Sequence, residues 1–494
     1  TNKGHNSAET VTKQIFISSY IYFDILIGGT IIMFISQIAI RNYRLFTPDR
    51  LFTIDNFNVP NGTEEGSGLN VFVGENGCGK TSLLEALALP MLEYKADSFS
   101  VDDMNDPSKD VEISIYSDKP FKVLGTMPKS DFMAKGFVFK ARCRARSSKA
   151  YLSSLIVTDQ LFISTDPDKP KENSPDLRVR VYNPFSGNRF NENDVLLLDK
   201  NRLYQTRSGN FNTTRFDRLM EDFNYQYLKN TNPIKNLNDY LNKEIKQNKI
   251  QNSFLEKSIN KFKEFSGIKI SLDFIDNYRP FNNACFVAEK DNMQQIHISN
   301  LGSGYEMIFA LLYSFYLSQQ SGKQLILLID EPELHLHPVL QEKFIQFLLE
   351  ISKEVQVFLS THSPLLVKQL SFNDRVSVRI LSKDGLLPME ERKLSYISSN
   401  ETNYLAFNLA SEEYHNELYE ELLYRYGEGQ KIKEFDNAFF VKLKGEPPNC
   451  PWKGVDNQVS IHTYIRNQIH HQKDNGRPNY TDLIHSIKKM RSYL

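Results

Sequence analysis

Cysteine is scarce in this chain. Four residues in 494, Cys78, Cys143, Cys285 and Cys450, are widely scattered with no CxxC pair among them. That pattern argues against a zinc knuckle or a disulfide framework and leaves four free thiols, as expected of a reducing, cytoplasmic setting. An excess of either charge is missing too. Lys and Arg total 59 against 60 for Asp and Glu, a formal net charge of −1. No global field therefore advertises nucleic acid or a membrane, and any such contact has to come from a local patch. No internal repeat is evident, nor any bundle of membrane-spanning runs. One apolar stretch, IYFDILIGGTIIMFISQIAI from Ile21 to Ile40, is long enough for a span. Asp24 would sit inside it, Gly28, Gly29 and Thr30 break it, and its second half from Phe34 reads as a strand. Met33 directly precedes that strand, so residues 1–32 are expected to be an extension outside the functional fold.

What is present is a set of short motifs at strand ends. Leu69 to Val73 is an apolar run that leads into GENGCGKT, Gly74 to Thr81, and then into a helical pattern from about Lys80 to Met91. Strand, glycine loop, helix is the context in which GxxxxGK[ST] holds phosphates. Gly74, Glu75, Asn76, Gly77, Cys78 and Gly79 supply backbone N–H groups, and the helix N-terminus adds its positive dipole. Lys80 neutralises the β- and γ-phosphates, Thr81 offers a hydroxyl to Mg²⁺, and Ser82 follows in the first turn. The chemistry implied is ATP binding with Mg²⁺.

LILLIDEPELHLHP, Leu325 to Pro338, supplies the complementary part. A continuous apolar run is a buried parallel strand, and its C-terminal end is where α/β sheets place ligand chemistry. Asp330 is expected to hold Mg²⁺ through water, and Glu331 to orient and deprotonate the attacking water. Thirty residues on, VFLSTHSPLL repeats the geometry, with Ser360, Thr361 and His362 at the strand end. A contact from His362 to the γ-phosphate is expected there. Between these lies NLGSGYEMIFALL, Asn300 to Leu312, whose Gly302, Ser303 and Gly304 put backbone amides at a helix N-terminus. One nucleotide needs one such cradle, so a second makes sense if it is offered to the nucleotide of another subunit.

The set GENGCGKT, LGSGYE, LIDEPELHLHP and STHSP resembles the ABC-type ATPases of the structural-maintenance, recombination-mediator and OLD class, especially the stand-alone ATPases of bacterial anti-phage systems. The resemblance covers about residues 34–381. It implies an α/β fold with an ABC-type ATPase head, in which a mixed sheet around the phosphate loop is joined by an antiparallel β lobe. It also implies head-to-tail homodimers or higher homo-oligomers, Glu331 as catalytic base, His362 as γ-phosphate switch, and Ser303 with Gly304 acting in trans. Where that class usually has serine after the signature leucine, this chain has Gly302, followed by Ser303.

The expected division is an extension at 1–32, the N-terminal part of the ATPase with its β lobe at 33–215, and a helical insertion at 216–265. The C-terminal part of the ATPase follows at 266–390 and a mainly helical region at 391–494. The whole interval from Thr81 to Leu301 is about 220 residues, too short for a chromosome-tethering arm. OLD relatives carry a nuclease domain marked by a later DxD, and no DxD follows Asp330. A nuclease effector is therefore expected as a separate partner chain. One local basic patch exists: Lys129 to Lys149 carries seven basic residues against one Asp, with Lys140, Arg142, Arg144 and Arg146 alternating. It would suit a phosphate backbone, or it is a solvated strand face.

Near the C-terminus RNQIHH, Arg466 to His471, resembles the Arg-to-His signature of HEPN ribonucleases. That resemblance would make Arg466, Asn467 and His471 a metal-free ribonuclease centre. A structural helix or a partner-docking tail fits the same residues. For the whole chain, the reading is a sensor ATPase of an anti-phage system that controls a nuclease effector. A DNA-repair ATPase and a self-contained ribonuclease toxin are its alternatives.

Overall fold

The computed structural model describes residues 34–89, 99–124, 131–141, 160–163, 195–198, 203–205, 212–214, 254–274, 284–289, 296–297, 301–321, 324–383, 385–387 and 391–494. The expected extension at 1–32 and most of the insertion at 216–265 lie outside these residues.

In chain order the first elements are β1 (Ile35–Arg41), β2 (Phe52–Ile54), β3 (Leu69–Val73), α1 (Lys80–Ala88), β4 (Val111–Leu124), β5 (Asp131–Ala141) and β6 (Gln160–Ile163). Three short strands follow, β7 (Val195–Leu198), β8 (Leu203–Gln205) and β9 (Asn212–Thr214), then α2 (Phe254–Ser266), β10 (Lys269–Phe274), β11 (Ala284–Glu289) and β12 (Ile296–His297). The site-bearing stretch is α3 (Ser303–Ser321), β13 (Ile326–Asp330), α4 (Pro338–Ile351), β14 (Gln356–Thr361), α5 (Pro364–Leu370), β15 (Ser377–Ser382) and β16 (Gly385–Leu386). The C-terminal region holds α6 (Ser399–Phe407), α7 (Glu412–Tyr426), α8 (Ile432–Phe435), β17 (Cys450–Trp452), β18 (Val455–Val459), α9 (Ile461–His470), α10 (Gln472–Asn475) and α11 (Tyr480–Tyr493).

Two compact units emerge, one from residues 1–62, 85–328 and 354–356, the other from 63–84, 329–353 and 357–494. In the first, β2, β1, β4, β5 and β6 form an antiparallel sheet in that order. Ile38 faces Ile115 and Ile40 faces Ile113 across β1 and β4. All four are fully buried, so one face of the sheet is sealed by β-branched cross-strand pairs. The buried Gln356 amide ties the start of β1 down. It accepts from Ile35 N and donates to the carbonyls of Ile35 and Asn58. In the same unit α2, the described end of the expected insertion, lays Phe254 and Phe262 edge-on against Tyr313 and Phe309 of α3.

In the second unit the strands run β16, β15, β3, β14, then the end of β13. β3 pairs in parallel with both β14 and β15, Val73 lying opposite Thr361 and Ile380. Every residue of β3 is buried, which is why its sequence is a continuous apolar run rather than an alternating one. Together with the antiparallel β lobe this is the expected α/β architecture.

The C-terminal region packs α7, α9 and α11 around Tyr414, Leu418, Tyr419, Phe435, Phe440, Ile465 and Ile487. Within it the stretch GEPPNCPWKG departs from helix. β17 and β18 form an antiparallel hairpin in which Trp452 faces Val455. The two residues between them, Lys453 at φ 48° and Gly454 at φ 80°, are both left-handed. That twist suits a two-residue hairpin. No helix among the described residues is long and apolar enough to cross a membrane.

Candidate functional site

The phosphate loop follows from where β3 ends. Past Val73 the chain must reverse in a few residues, and the glycines permit it, with φ of 150° at Gly74, 75° at Gly77 and 101° at Gly79. Helix α1 then starts at Lys80, with Leu83 N on the Gly79 carbonyl at 2.8 Å. The Lys80 side chain turns back into the loop. Its Nζ donates to the carbonyls of Gly74 and Glu75 at 2.9 and 3.0 Å and lies 3.6 Å from Cys78 Sγ. Burial lowers the Lys80 pKa, opposed by Cys78, Glu331 and Asp330. The ammonium is held where incoming phosphate oxygens would replace those loop carbonyls.

Asp330, the last residue of β13, is buried and receives two hydroxyls. Thr81 Oγ1 donates to its Oδ2 at 2.9 Å, and Ser360 Oγ donates to its Oδ1. Oxygen donors suit a hard, octahedral cation that keeps most of its waters. Thr81 and Asp330, drawn together from positions 249 apart, therefore fit Mg²⁺. Among the described residues no group of three or more His, Cys, Asp or Glu gathers as a metal cluster.

Glu331 is the local oddity. It sits in the left-handed region, φ 45° and ψ 59°, at the start of the short 3₁₀ turn Pro332–His335. A non-glycine residue held there is strained, a feature that functional sites often carry. Its backbone N–H is bound by both the carbonyl and the hydroxyl of Ser360, each at 3.2 Å. The side chain then meets His362, Nε2 to Oε1 at 3.1 Å. Burial and the nearby Lys80 lower the His362 pKa while Glu331 opposes them, so the ring is neutral near pH 7 and can present Nε2–H to the carboxylate.

The expected residues Lys80, Thr81, Asp330, Glu331 and His362 are thus brought together. Glu333 belongs with them and was not singled out in the sequence. Its Oε1 accepts from Thr361 Oγ1 at 2.9 Å and from His362 N at 2.5 Å. Its pKa is raised by burial, which those two donors oppose. The signal was available as the second acid of DEPE.

The signature segment falls in the first unit. Gly302 has φ 108°, a conformation that disfavours the serine usual at that point. Ser303 opens α3 and Gly304 is buried in its first turn. Of the four alternating basic residues, only Lys140 is described, in β5 opposite Glu112. Arg142, Arg144 and Arg146 lie outside the described residues.

The RNQIHH stretch forms the end of α9. Arg466 Nη2 lies 3.9 Å from Glu420 Oε1, and its Nε is buried with no partner among the described residues. His470 ends the helix, and the exposed His471 caps it, its N–H on the Asn467 carbonyl at 2.8 Å. A different cluster lies nearby, buried. Ser486 Oγ bridges His415 Nε2 at 2.8 Å and His462 Nδ1 at 2.7 Å.

The family described as "AAA domain, putative AbiEii toxin, Type IV TA system" matches residues 69–368. The chain is 23% identical to the OLD nuclease of Thermus scotoductus over 368 residues, 71% of this chain and 62% of that protein. It is 22% identical to the endonuclease GajA of Bacillus cereus over 365 residues, 70% of this chain and 58% of that protein. The chain therefore spans about 60% of the length of these two relatives. Among solved structures, the Smc head domain with an extended coiled coil from Pyrococcus furiosus aligns over 73% of this chain and 98% of its own, with 13% identity and a TM-score of 0.42.

Proposed function

The chain belongs to this AAA-domain family, and from that premise we propose that it is an ABC-type ATPase head that binds and hydrolyses ATP with Mg²⁺ as the regulatory ATPase of an anti-phage defence system. The observation that carries the reading is the meeting of three strand ends in one unit. Thr81 touches Asp330, and Glu331 touches His362.

Each residue has a task that its geometry allows. Lys80 and the amides of residues 74–79 bind the phosphates. Thr81 and Asp330 would hold Mg²⁺, which would supply neutralisation of the phosphate charge. Glu331 takes a proton from water as the water oxygen attacks the γ-phosphorus and the bond to the ADP oxygen breaks. Neutral His362 fixes the Glu331 carboxylate without adding a second positive charge beside Lys80. Ser303 and Gly304 would complete the partner's site across a head-to-tail homodimer. A separate nuclease subunit would be the effector. The likeness to the OLD nuclease and the endonuclease GajA supports an association with nuclease chemistry.

The test compares nucleotide retention and phosphate release in wild type and Glu331→Gln, alongside purification with neighbouring gene products untagged. Glu331→Gln should lower turnover by roughly 10²- to 10⁴-fold, the range of general-base catalysis, while keeping ATP bound. A variant that retained nucleotide no better than wild type would sink the role of Glu331.

A further inference from the structure

We propose that Glu333 is the positioning residue of the hydrolytic pair, clamping the main chain at His362 so that the imidazole bears on Glu331. This inference rests on the ATPase reading above.

The argument is one of chain geometry. His362 lies just beyond β14, where the sheet no longer fixes the backbone. Its N–H is taken by Glu333 Oε1 at 2.5 Å, and the same oxygen accepts the Thr361 hydroxyl at 2.9 Å. Thr361 Oγ1 in turn accepts Ser363 N at 2.9 Å, and Ser363 caps α5 through Leu366 N at 3.3 Å. One carboxylate oxygen therefore governs Thr361 through Ser363, the three residues that carry the imidazole. From the other side, the left-handed Glu331 starts the 3₁₀ turn that delivers Glu333. The base and the clamp are thus two positions of one rigid turn, and His362 is held by both, at its ring and at its amide.

Burying a carboxylate is costly unless donors compensate it. Here both donors fall on Oε1, while Oε2 is buried with no partner among the described residues. A purely structural turn would gain more from an apolar side chain at this point. The cost is understandable if the fixed His362 amide is what the residue is for. Glu333 has no contact with His362's ring and none with Thr81 or Asp330 among its hydrogen bonds, so it acts through His362.

The experiment measures steady-state ATP hydrolysis for wild type, Glu333→Ala, Glu333→Gln, His362→Ala and the Glu333→Ala/His362→Ala double variant, together with the His362 ring resonance in histidine-labelled protein. Misplacing a group by about 1 Å can cost on the order of 100-fold. Glu333→Ala should therefore lose roughly 10- to 100-fold in kcat, with KM within about twofold. Glu333→Gln keeps a carbonyl acceptor and should restore most of the turnover and the wild-type ring resonance. The double variant should be no slower than His362→Ala. Losses that multiply in the double variant, or a ring resonance unchanged in Glu333→Ala, would overturn the proposal. If wild type itself shows no turnover, the ATPase reading fails, and the ring resonances of the alanine and glutamine variants still decide whether Glu333 positions His362.

Discussion

Gly74, the first residue of the phosphate loop, lies against the carbonyl of Leu381 at the end of the neighbouring strand β15. A Cβ there would stand 2.2 Å from that oxygen and 2.9 Å from Cys78 Sγ. Gly77 has φ 75° but open space around its missing side chain. The two glycines therefore separate clash from strain. Gly77→Ala should cost about 1–2 kcal/mol of unliganded stability, the left-handed penalty alone, whereas Gly74→Ala should cost more and displace the loop. ATP at about a hundred times its Kd stabilises a binding protein by about 2.7 kcal/mol. Thermal melts with and without ATP should show that gain in wild type and its loss in Gly74→Ala.

The C-terminal region depends on a buried ion pair. Arg491 Nη1 donates to Glu401 Oε1 at 3.1 Å and to the Tyr414 hydroxyl, and its Nη2 reaches the Glu391 carbonyl at 2.6 Å. Glu401 is fully buried. Removing one partner of such a pair leaves an uncompensated charge, which costs about 3–5 kcal/mol. Arg491→Met should lower urea stability by that order, and adding Glu401→Gln should recover part of it. A double variant as unstable as the sum of the two singles would show that the residues are not coupled.

Much of the nucleotide site is legible because each part is a local string with a local cause. Glycines at Gly74, Gly77 and Gly79 allow the loop, and apolar runs announce the strands that end at Asp330 and Thr361. Glu333 is not legible in the same way. Its role depends on a left-handed Glu331 turning it back to an amide 29 positions away, and nothing in DEPE states that turn. The hairpin at Cys450 to Val459 was hidden for a different reason. Prolines and glycine around it break the helical pattern without declaring a strand, while the decisive feature is two consecutive left-handed residues at Lys453 and Gly454.

Acid should loosen the C-terminal helices. Burial pushes the His415 pKa down to about 3, helped by the nearby His462, and pushes His462 down to about 4. Glu446 opposes the second shift, while His485 and Lys489 favour it. The unfolded histidines take up protons near pH 6.5, whereas the folded ones do so only near 3 and 4. The unfolded state therefore binds more protons between those limits, and stability falls as pH drops from 6.5 towards 4. At about 1.4 kcal/mol per unit for each group, the loss by pH 4.5 amounts to several kcal/mol. Urea titrations at pH 7.5, 6 and 5 should show it, and His415→Asn should flatten the slope. An unchanged slope in that variant would place the acid sensitivity elsewhere.

The RNQIHH stretch gives the last prediction, because here geometry and motif pull in different directions. A metal-free ribonuclease needs arginine and histidine free to meet a phosphodiester. Arg466 is mostly buried and leans towards Glu420 at 3.9 Å. His471 is exposed, and its backbone closes α9 on Asn467. On this geometry Arg466 is expected to serve the pairing of α7 with α9, and His471 stays exposed. Arg466→Ala should lower thermal stability, and His471→Ala should leave it unchanged. Neither should alter any cleavage of RNA or DNA found in a preparation that keeps co-purifying proteins. Cleavage of RNA by this chain alone, lost in both variants, would instead make the tail an effector and the ATPase its switch.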